Sequence, residues 1–524
     1  MKKLLSLTLA ICLSSATFAL DWQMVGARQM GMGGAGVAIA QGIDAQYYNP
    51  ALLASNSEDD EVEVGFNVGA KAEISPVLDV TRQLMRMSNE YKKLVSNIKD
   101  NSGDNVYPSE MNTIVDGFVN INDMLKDNKA TIMNSDLGVG FKKGSFAVSI
   151  RSLNALSAIP VADNKNILLG AYGSYDGLSV STDTTIPSMW AQDVDRMADA
   201  IDAAGARKDL IKLFGLTTTP TSLQLAAMLV NSLDEAIVST QEETSRAIDK
   251  LIDNMPQIAE FIKGTFSDTS KGSYVDNTTH VKMDLGSFNE ASLGYGFNIG
   301  RGISLGANVK VIEGLIGESG IMILTDNLGV GSMMHETWNH KKLSTNVGID
   351  VGAAVNFSEL FQGNFIFNPT LAITAKNLNS PKFKRPEKPT DYNLGDWDDS
   401  DFKLNSQFRA GAAIHPFTDR LTIAADIDLN ENDTFLEGKK SRQLASGVEY
   451  MIINRHTFKL PVRVGINKNL ADSDAPTYFT AGFSSINNDF IFEMAATVGD
   501  STEKLNGNNF PNVMGLTMSF AWAF

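Results

Sequence analysis

The sequence is poor in cysteine, histidine and basic charge, and beyond its first residues it has no long hydrophobic run. Its one cysteine, Cys12, falls inside Met1–Ala19, which has the form of an export signal. Lys2 and Lys3 supply the positive start, Leu4–Leu13 the apolar core, and Thr17-Phe18-Ala19 a small-residue site with cleavage after Ala19. That apolar core is too short to cross a bilayer as a helix. The exported chain is therefore expected to be free of cysteine in a compartment where disulfides form. This excludes disulfide scaffolds, thiol chemistry and cysteine-ligated metals. Asp and Glu number 61 against 44 Lys and Arg, a formal charge of -17. Losing Lys2 and Lys3 with the signal takes it to about -19. Phosphate neutralisation needs basic patches, so nucleic acid is not an expected partner. No run of about 18 apolar residues follows the signal, so no transmembrane helix is expected.

What the chain has instead is alternation. From Val62 onward apolar and polar residues change places at every second position. Thr345–Phe357 sets Val347, Ile349, Val351 and Val355 on one face, and Asn346, Asp350 and Asn356 on the other. Ile303–Val311 and Leu421–Leu429 behave likewise, with Lys310, Asp426 and Asp428 on their polar faces. Fourteen such stretches lie at 62–74, 134–142, 145–153, 289–299, 303–316, 345–357, 365–378, 404–415, 421–430, 441–451, 458–467, 476–486, 489–498 and 513–524. Most are near the ~9–11 residues that a tilted strand needs to cross a bilayer.

A soluble sandwich also alternates, so the period alone does not separate the two folds. The connections do. Tight ones, such as Lys143-Gly144, Arg301-Gly302 and Asn487-Asn488, take turns with longer polar loops, as in an outer-membrane barrel. Aromatics such as Phe141, Phe146, Phe297, Tyr450, Phe483 and Phe490 gather at the tight ends, where an interfacial girdle would sit. Core aromatics at strand ends are the plainer alternative. The last stretch carries Phe520, Trp522 and Phe524 on its apolar face, and its terminal Phe524 is similar to the carboxyl-terminal signal read by the outer-membrane assembly machinery. The expected fold is all-β: a transmembrane antiparallel β-barrel of about 14 strands in the outer membrane of a Gram-negative bacterium. Residues 1–19 are the signal peptide, 20–61 an N-terminal hatch inside the lumen, and 62–524 the barrel.

Two α-helical extracellular insertions, at 75–133 and 154–288, interrupt the pattern. Helices are expected over Pro76–Lys99, Ser109–Lys126, Asp193–Ala204 and within Thr221–Thr265, where apolar residues recur at helical spacing. Their stripes would pack together as a cap, or line a greasy entrance. Tyr172–Thr182 and His280–Gly286 are candidates for a hairpin beneath them.

No residue set suggests catalysis or a cofactor. His335 and His340 sit five apart in an expected loop, whereas a zinc-protease helix needs histidines four apart. Asp396–Asp401 is acidic but lacks the glycine and closing glutamate of an EF-hand. Gly31-Met32-Gly33-Gly34-Ala35-Gly36 formally fits GxGxxG, yet no βαβ unit surrounds it. Its glycines suit an irregular backbone packed tightly against barrel walls. Asp350, Lys310, Asp426, Asp428, Glu449, Arg463 and Glu493 face the expected lumen. They would either line a pore or pair with the plug, and buried charge favours pairing.

The stretch Arg28–Ala54 is the one around which the rest is organised. Gly31, Gly33, Gly34 and Gly36, then Asp44, Tyr47, Tyr48, Asn49, Pro50 and Ala51, resemble the amino-terminal hatch of the FadL-like outer-membrane transport superfamily. The segment Leu371–Phe383 is similar to the TraF-like branch from plasmid transfer operons. The resemblance implies a gating role for those hatch residues and passive uptake of a small hydrophobic molecule, such as a long-chain fatty acid or hydrocarbon, through a plugged lumen. Leu52 stands where the transporters usually carry glycine, and the helical insertions have no transporter counterpart. A different reading is therefore carried beside it: a non-transporting scaffold for conjugal transfer or secretion, docking a protein partner at the insertions. The expected surroundings are outer-membrane lipid and the assembly machinery.

Overall fold

The computed structural model describes residues 22–55, 62–75, 130–161, 180–236, 241–256, 258–259, 278, 280–322, 330–363, 367–388, 400–416, 420–434, 440–473, 475–505 and 508–524. The signal with Ala19, the helices expected at 76–99 and 109–126, Tyr172 and most of the acidic loop lie outside them.

Fourteen antiparallel strands close into one barrel. They are β1 (Val62–Glu73), β2 (Thr131–Lys143), β3 (Phe146–Val161), β4 (His280–Gly300), β5 (Ile303–Met322), β6 (Lys341–Asn356) and β7 (Thr370–Lys376). Then follow β8 (Gln407–Ile414), β9 (Leu421–Asp428), β10 (Gln443–Asn454), β11 (Phe458–Asn469), β12 (Thr477–Asn487), β13 (Phe490–Gly499) and β14 (Val513–Ala523). Each pairs with its neighbours in chain order, and β1 closes on β14 from Glu63↔Ala523 to Glu73↔Val513. Beyond that ladder Val62 and Phe524 exchange both backbone bonds at 2.9 Å. Closure leaves no sheet edge, which is what lets a β structure stand in lipid.

The alternation is inverted relative to a soluble sheet. In β1, Val64, Phe66 and Val68 face outward while Glu63 and Asn67 are buried. In β5, Val309 is 54% exposed and its neighbour Lys310 only 3%. Apolar residues thus face the surroundings and polar ones the lumen, as in a membrane barrel. The chain folds as an outer-membrane-type β-barrel. Of the aromatics expected in the girdle, Phe141, Phe146, Phe297, Tyr450, Phe483 and Phe490 point outward, as do Phe520, Trp522 and Phe524.

Connections within β2–β3, β4–β5, β10–β11 and β12–β13 are tight, and both ends of the barrel chain lie at that same rim. The other rim carries the longer connections. β3 and β4 are longer than the sequence pattern suggested, so the insertion expected at 154–288 narrows to 162–279. Their extra length pairs Ala155–Val161 with His280–Gly286. His280–Gly286 is therefore barrel wall and not half of a hairpin with Tyr172–Thr182. The signal was there in Val281, Met283 and Leu285, but these are buried and alternate with Asp284, so the period reads as soluble sheet.

Within that insertion four helices are described: Ala191–Ala204, Arg207–Leu213, Ser222–Ala236 and Gln241–Asp253. Val194, Met197 and Ile201 of the first are buried where it packs on the third, which buries Leu225, Leu229 and Leu233. The stripes serve each other, as a cap requires. Arg196 also ties the first helix to the fourth through Asp249, at 2.9 Å. The segment with His335 and His340, expected as a loop, is helical over Val330–Asn339. Five residues on a helix place the two histidines on different faces, and among the described residues no cluster of metal-ligating side chains occurs. No described helix is long and apolar enough to cross a membrane.

Candidate functional site

Residues 22–55 enter the barrel and fill it. Three short helices, α1 (Ala27–Gly31), α2 (Gly42–Tyr48) and α3 (Leu52–Ser55), are joined by irregular backbone, and none of it joins a strand. Val25, Met32, Val37, Tyr48, Ala51 and Leu53 form a core of the hatch's own, continued by small wall residues such as Ala147, Ala372 and Ala424.

Irregular backbone beside a wall must find hydrogen bonds, and polar wall side chains supply them. Thr480 accepts from the Gly33 N–H at 3.0 Å and donates to the Gly31 carbonyl at 3.1 Å. Asn467 donates to the Gly33 carbonyl at 2.8 Å. Asp426 accepts from the N–H groups of Gly36 and Val37 at 2.7 and 2.9 Å. Ser519 accepts from the Ala27 N–H at 2.9 Å, and Asn308 donates to the Gln46 carbonyl at 2.7 Å. Asn49 donates to the carbonyls of Val37 in the hatch and Ala353 in the wall, at 3.0 and 3.2 Å. The Tyr48 hydroxyl donates to the Val25 carbonyl at 2.9 Å, and that of Tyr47 to Gln23 at 3.2 Å. Gly34 turns back to bond Gln29 within the hatch at 2.8 Å.

Two glycines show why the motif is built as it is. Gly33 has φ +72°, and a Cβ there would run into the backbone of Ser446 and Ile466. Gly306 of β5 faces the Pro50-Ala51 peptide so closely that a Cβ would collide with it. Backbone thus lies directly on backbone, from both sides.

Charge completes the attachment. Arg28 meets Glu449 with Nε at 3.0 Å and Nη2 at 2.8 Å, and Arg463 reaches the same carboxylate at 2.5 Å and Glu493 at 3.2 Å. Asp44 accepts from Asn67 at 2.7 Å and stands 3.5 Å from Arg151. Three further pairs stay within the wall: Lys310 with Glu290 at 3.1 Å and with Asp350 at 3.2 Å, and Arg409 with Asp428 at 2.6 Å. The seven lumen-facing charges named from the sequence therefore all find partners, as buried charge must. Arg28, Arg151, Glu290 and Arg409 were not singled out in advance. Nor were Trp22 and Lys376, whose partners are brought together from opposite ends of the chain. Lys376 Nζ lies 3.9 Å from the centre of the Trp22 ring and 3.0 Å from that of Tyr47.

The two sides of the hatch differ. Toward the long-loop rim the connection after β7 folds into the lumen, and Phe383, Phe402 and Leu404 pack with Phe288, Ile312 and Ile316. The Phe288 and Phe383 rings meet edge-on at 5.3 Å. Toward the short-turn rim lie cavities of about 420 Å³, beside Arg28, Asp44, Glu63, Lys142 and Glu449, and about 190 Å³, beside Gln41, Asn356 and His415. The long-loop side carries charge as well: a small cavity there is lined by Glu290, Lys310, Lys376 and Lys403 beside Phe402 and Leu404, and Glu318 pairs with Arg385.

The family model of the F plasmid transfer operon TraF protein matches residues 46–428, from Gln46 in α2 to Asp428 at the end of β9. The chain belongs to that family. The matched span includes Tyr47–Ala51 and Leu371–Phe383 of the segments that carried the resemblance in the sequence, while Gly31–Gly36 and Asp44 lie before it. No curated protein matches the chain. Among solved structures it is similar to the Ralstonia pickettii toluene transporter TbuX, at 11% identity over 95% of this chain and 97% of that one, TM-score 0.41. The P. putida toluene transporter TodX gives 11% identity, coverage of 96% and 99%, and a TM-score of 0.40. A Pseudomonas aeruginosa FadL homologue gives 9%, 97% and 99%, and 0.40. At such scores the likeness adds nothing to what the barrel and its hatch already show for this TraF-family chain.

Proposed function

We propose that this protein is a hatch-gated channel of the outer membrane of a Gram-negative bacterium, FadL-like in design, through which small hydrophobic molecules pass inward. The substrate class is that of long-chain fatty acids or hydrocarbons. The observation that carries this reading is the apolar cluster on the long-loop side of a hatch that fills the lumen, with Phe288, Ile312, Ile316, Phe383, Phe402 and Leu404 packed together. An apolar molecule gains about 25 cal/mol for each Å² withdrawn from water, so it would accumulate on that side. The hatch is bonded to the wall by side chains and not by strand pairing, so it moves without opening the barrel.

The test is a disulfide lock. Ala27 and Ser519 are in contact across the hatch–wall boundary, and Cys12 is the chain's only cysteine. In an Ala27→Cys/Ser519→Cys variant, uptake of radiolabelled dodecane by cells should fall at least tenfold on oxidation and recover with reductant. Equal uptake in both states would sink hatch gating.

A second reading has its own support. The family's name comes from a plasmid transfer operon, and the insertion exposes Ile186, Met189 and Leu223. Protein docking at that surface, without transport, is the alternative; it requires that neither state of the lock take up dodecane.

A further inference from the structure

Lys376 is buried at 5% exposure, yet among the described residues no carboxylate stands within 4 Å of its ammonium group. The comparison with Lys310, one strand-pair away in the wall, is direct: that lysine is clamped by Glu290 and Asp350 at 3.1 and 3.2 Å. What faces Lys376 instead is the aromatic surface of the hatch. Its Nζ is 3.0 Å from the centre of the Tyr47 ring, 3.9 Å from Trp22 and 5.9 Å from Tyr48. The three rings hold one another, with Tyr47 and Tyr48 edge-on at 5.1 Å. Arg409 lies over Trp22 at 4.4 Å and Arg151 over Tyr47 at 4.9 Å, but each of these also has a carboxylate. Of these three cations Lys376 alone has the rings and no ion pair, with Asp350 and Glu290 acting on it from farther away.

A cation desolvated on a ring face is held electrostatically by the ring quadrupole, and the attraction disappears when the ring withdraws. Movement of the hatch would therefore strip Lys376 of its ring contacts and leave it only the more distant Asp350 and Glu290, which is costly unless water or a ligand reaches it. The position of the lysine is set from outside the hatch. It is the last residue of β7, and the next residue, Asn377, has φ +51° and gives its N–H to Asp350 at 2.9 Å. The wall therefore presents a fixed cation to a movable aromatic box.

We propose that Lys376 is a positioning residue that latches the hatch closed through the faces of Trp22, Tyr47 and Tyr48. The proposal rests on the gated-channel reading, because a latch has meaning only where the hatch moves.

Hatch exposure is read without any ligand from the labelling of Ala35→Cys, a fully buried hatch position, by a maleimide on the full-length protein in detergent. Lys376→Met keeps the side chain's length and removes its charge. It should raise the labelling rate at least fivefold, while Lys376→Arg keeps the rate within twofold of the parent. Tyr47→Leu, which acts from the hatch side and stands in should Lys376→Met not fold, should raise it equally. The double variant should be no faster than either single one, because both remove the same contact. A parental rate in Lys376→Met, an arginine that fails to restore closure, or rates that multiply in the double variant would each overturn the latch. Dodecane uptake separates the two ideas: fast labelling with no gain in uptake leaves the latch standing and removes the transport reading.

Discussion

Gly33 touches the barrel through its backbone alone. Its N–H and carbonyl are bonded to Thr480 and Asn467, and its α-carbon lies where only hydrogen fits. A side chain there faces two penalties. The left-handed backbone costs about 1–2 kcal/mol for any L-residue with a Cβ, and the wall strands cannot yield without breaking their own ladder. Gly33→Ala should therefore destabilise the closed hatch by at least about 2 kcal/mol. The strands should stay paired, so the heat-resistant folded band on a denaturing gel should persist while Ala35→Cys becomes reactive. Persistence of both the band and the protection would show that the hatch tolerates a looser fit. Residue types of this kind were legible in the sequence: Gly31, Gly33, Gly34 and Gly36 stood out as places for close backbone packing. Their partners were not, because Thr480 is one of many threonines on strands and nothing local marks it.

At the scale of elements, the connection after β7 matters as much as the hatch. It leaves the wall at Asn377 and Ser380, both with positive φ, and brings Phe383 against Phe288 inside the lumen. Asn379 caps β6 in place of a strand partner, donating to Val347 at 2.6 Å and accepting from Ile349 at 3.1 Å. Leu371–Phe383 was recognised in the sequence only as a family-like segment. Its role as the turn of the chain into the barrel was invisible there, because the apolar pocket it fills is assembled from β4 and β5, about a hundred residues earlier. Phe383→Ala should cost the cluster about 3–5 kcal/mol. No barrel ladder contains Phe383, so the barrel should stay folded while trypsin, which needs a loosened backbone around an already exposed lysine, cuts faster after Lys382 and Lys384. An unchanged digestion pattern would mean that the cluster does not hold the connection inward.

For the whole molecule, the decisive property is the outward-facing apolar surface. Leu293, Val309 and Ile349 are adjacent on β4, β5 and β6 and all face away from the lumen. In water such a continuous apolar face would be a liability; in a bilayer it is the anchor. An arginine at the middle of that face costs about 2–4 kcal/mol. Val309→Arg should therefore lower the yield of folded protein in the outer-membrane fraction severalfold, whereas a charge added in a long loop should not. Normal assembly of Val309→Arg would contradict a membrane position for that strand. The lumen tells the opposite story at the same residues' neighbours, where Lys310 and Asp350 pair at 3.2 Å.

The sequence by itself determined a barrel of about 14 strands, the alternation, the asymmetry of the connections and the hatch segment, because these follow from local period, turn chemistry and glycine placement. Only the tertiary structure decided which wall side chains hold which parts of the hatch. It also decided that β3 and β4 extend into the insertion and that Lys376 meets the hatch rings. Those contacts join residues hundreds of positions apart, as Gly33 with Thr480 and Ala27 with Ser519, so no local period reveals them. Lys376, for its part, lies over three hundred residues from the Trp22, Tyr47 and Tyr48 rings that surround it.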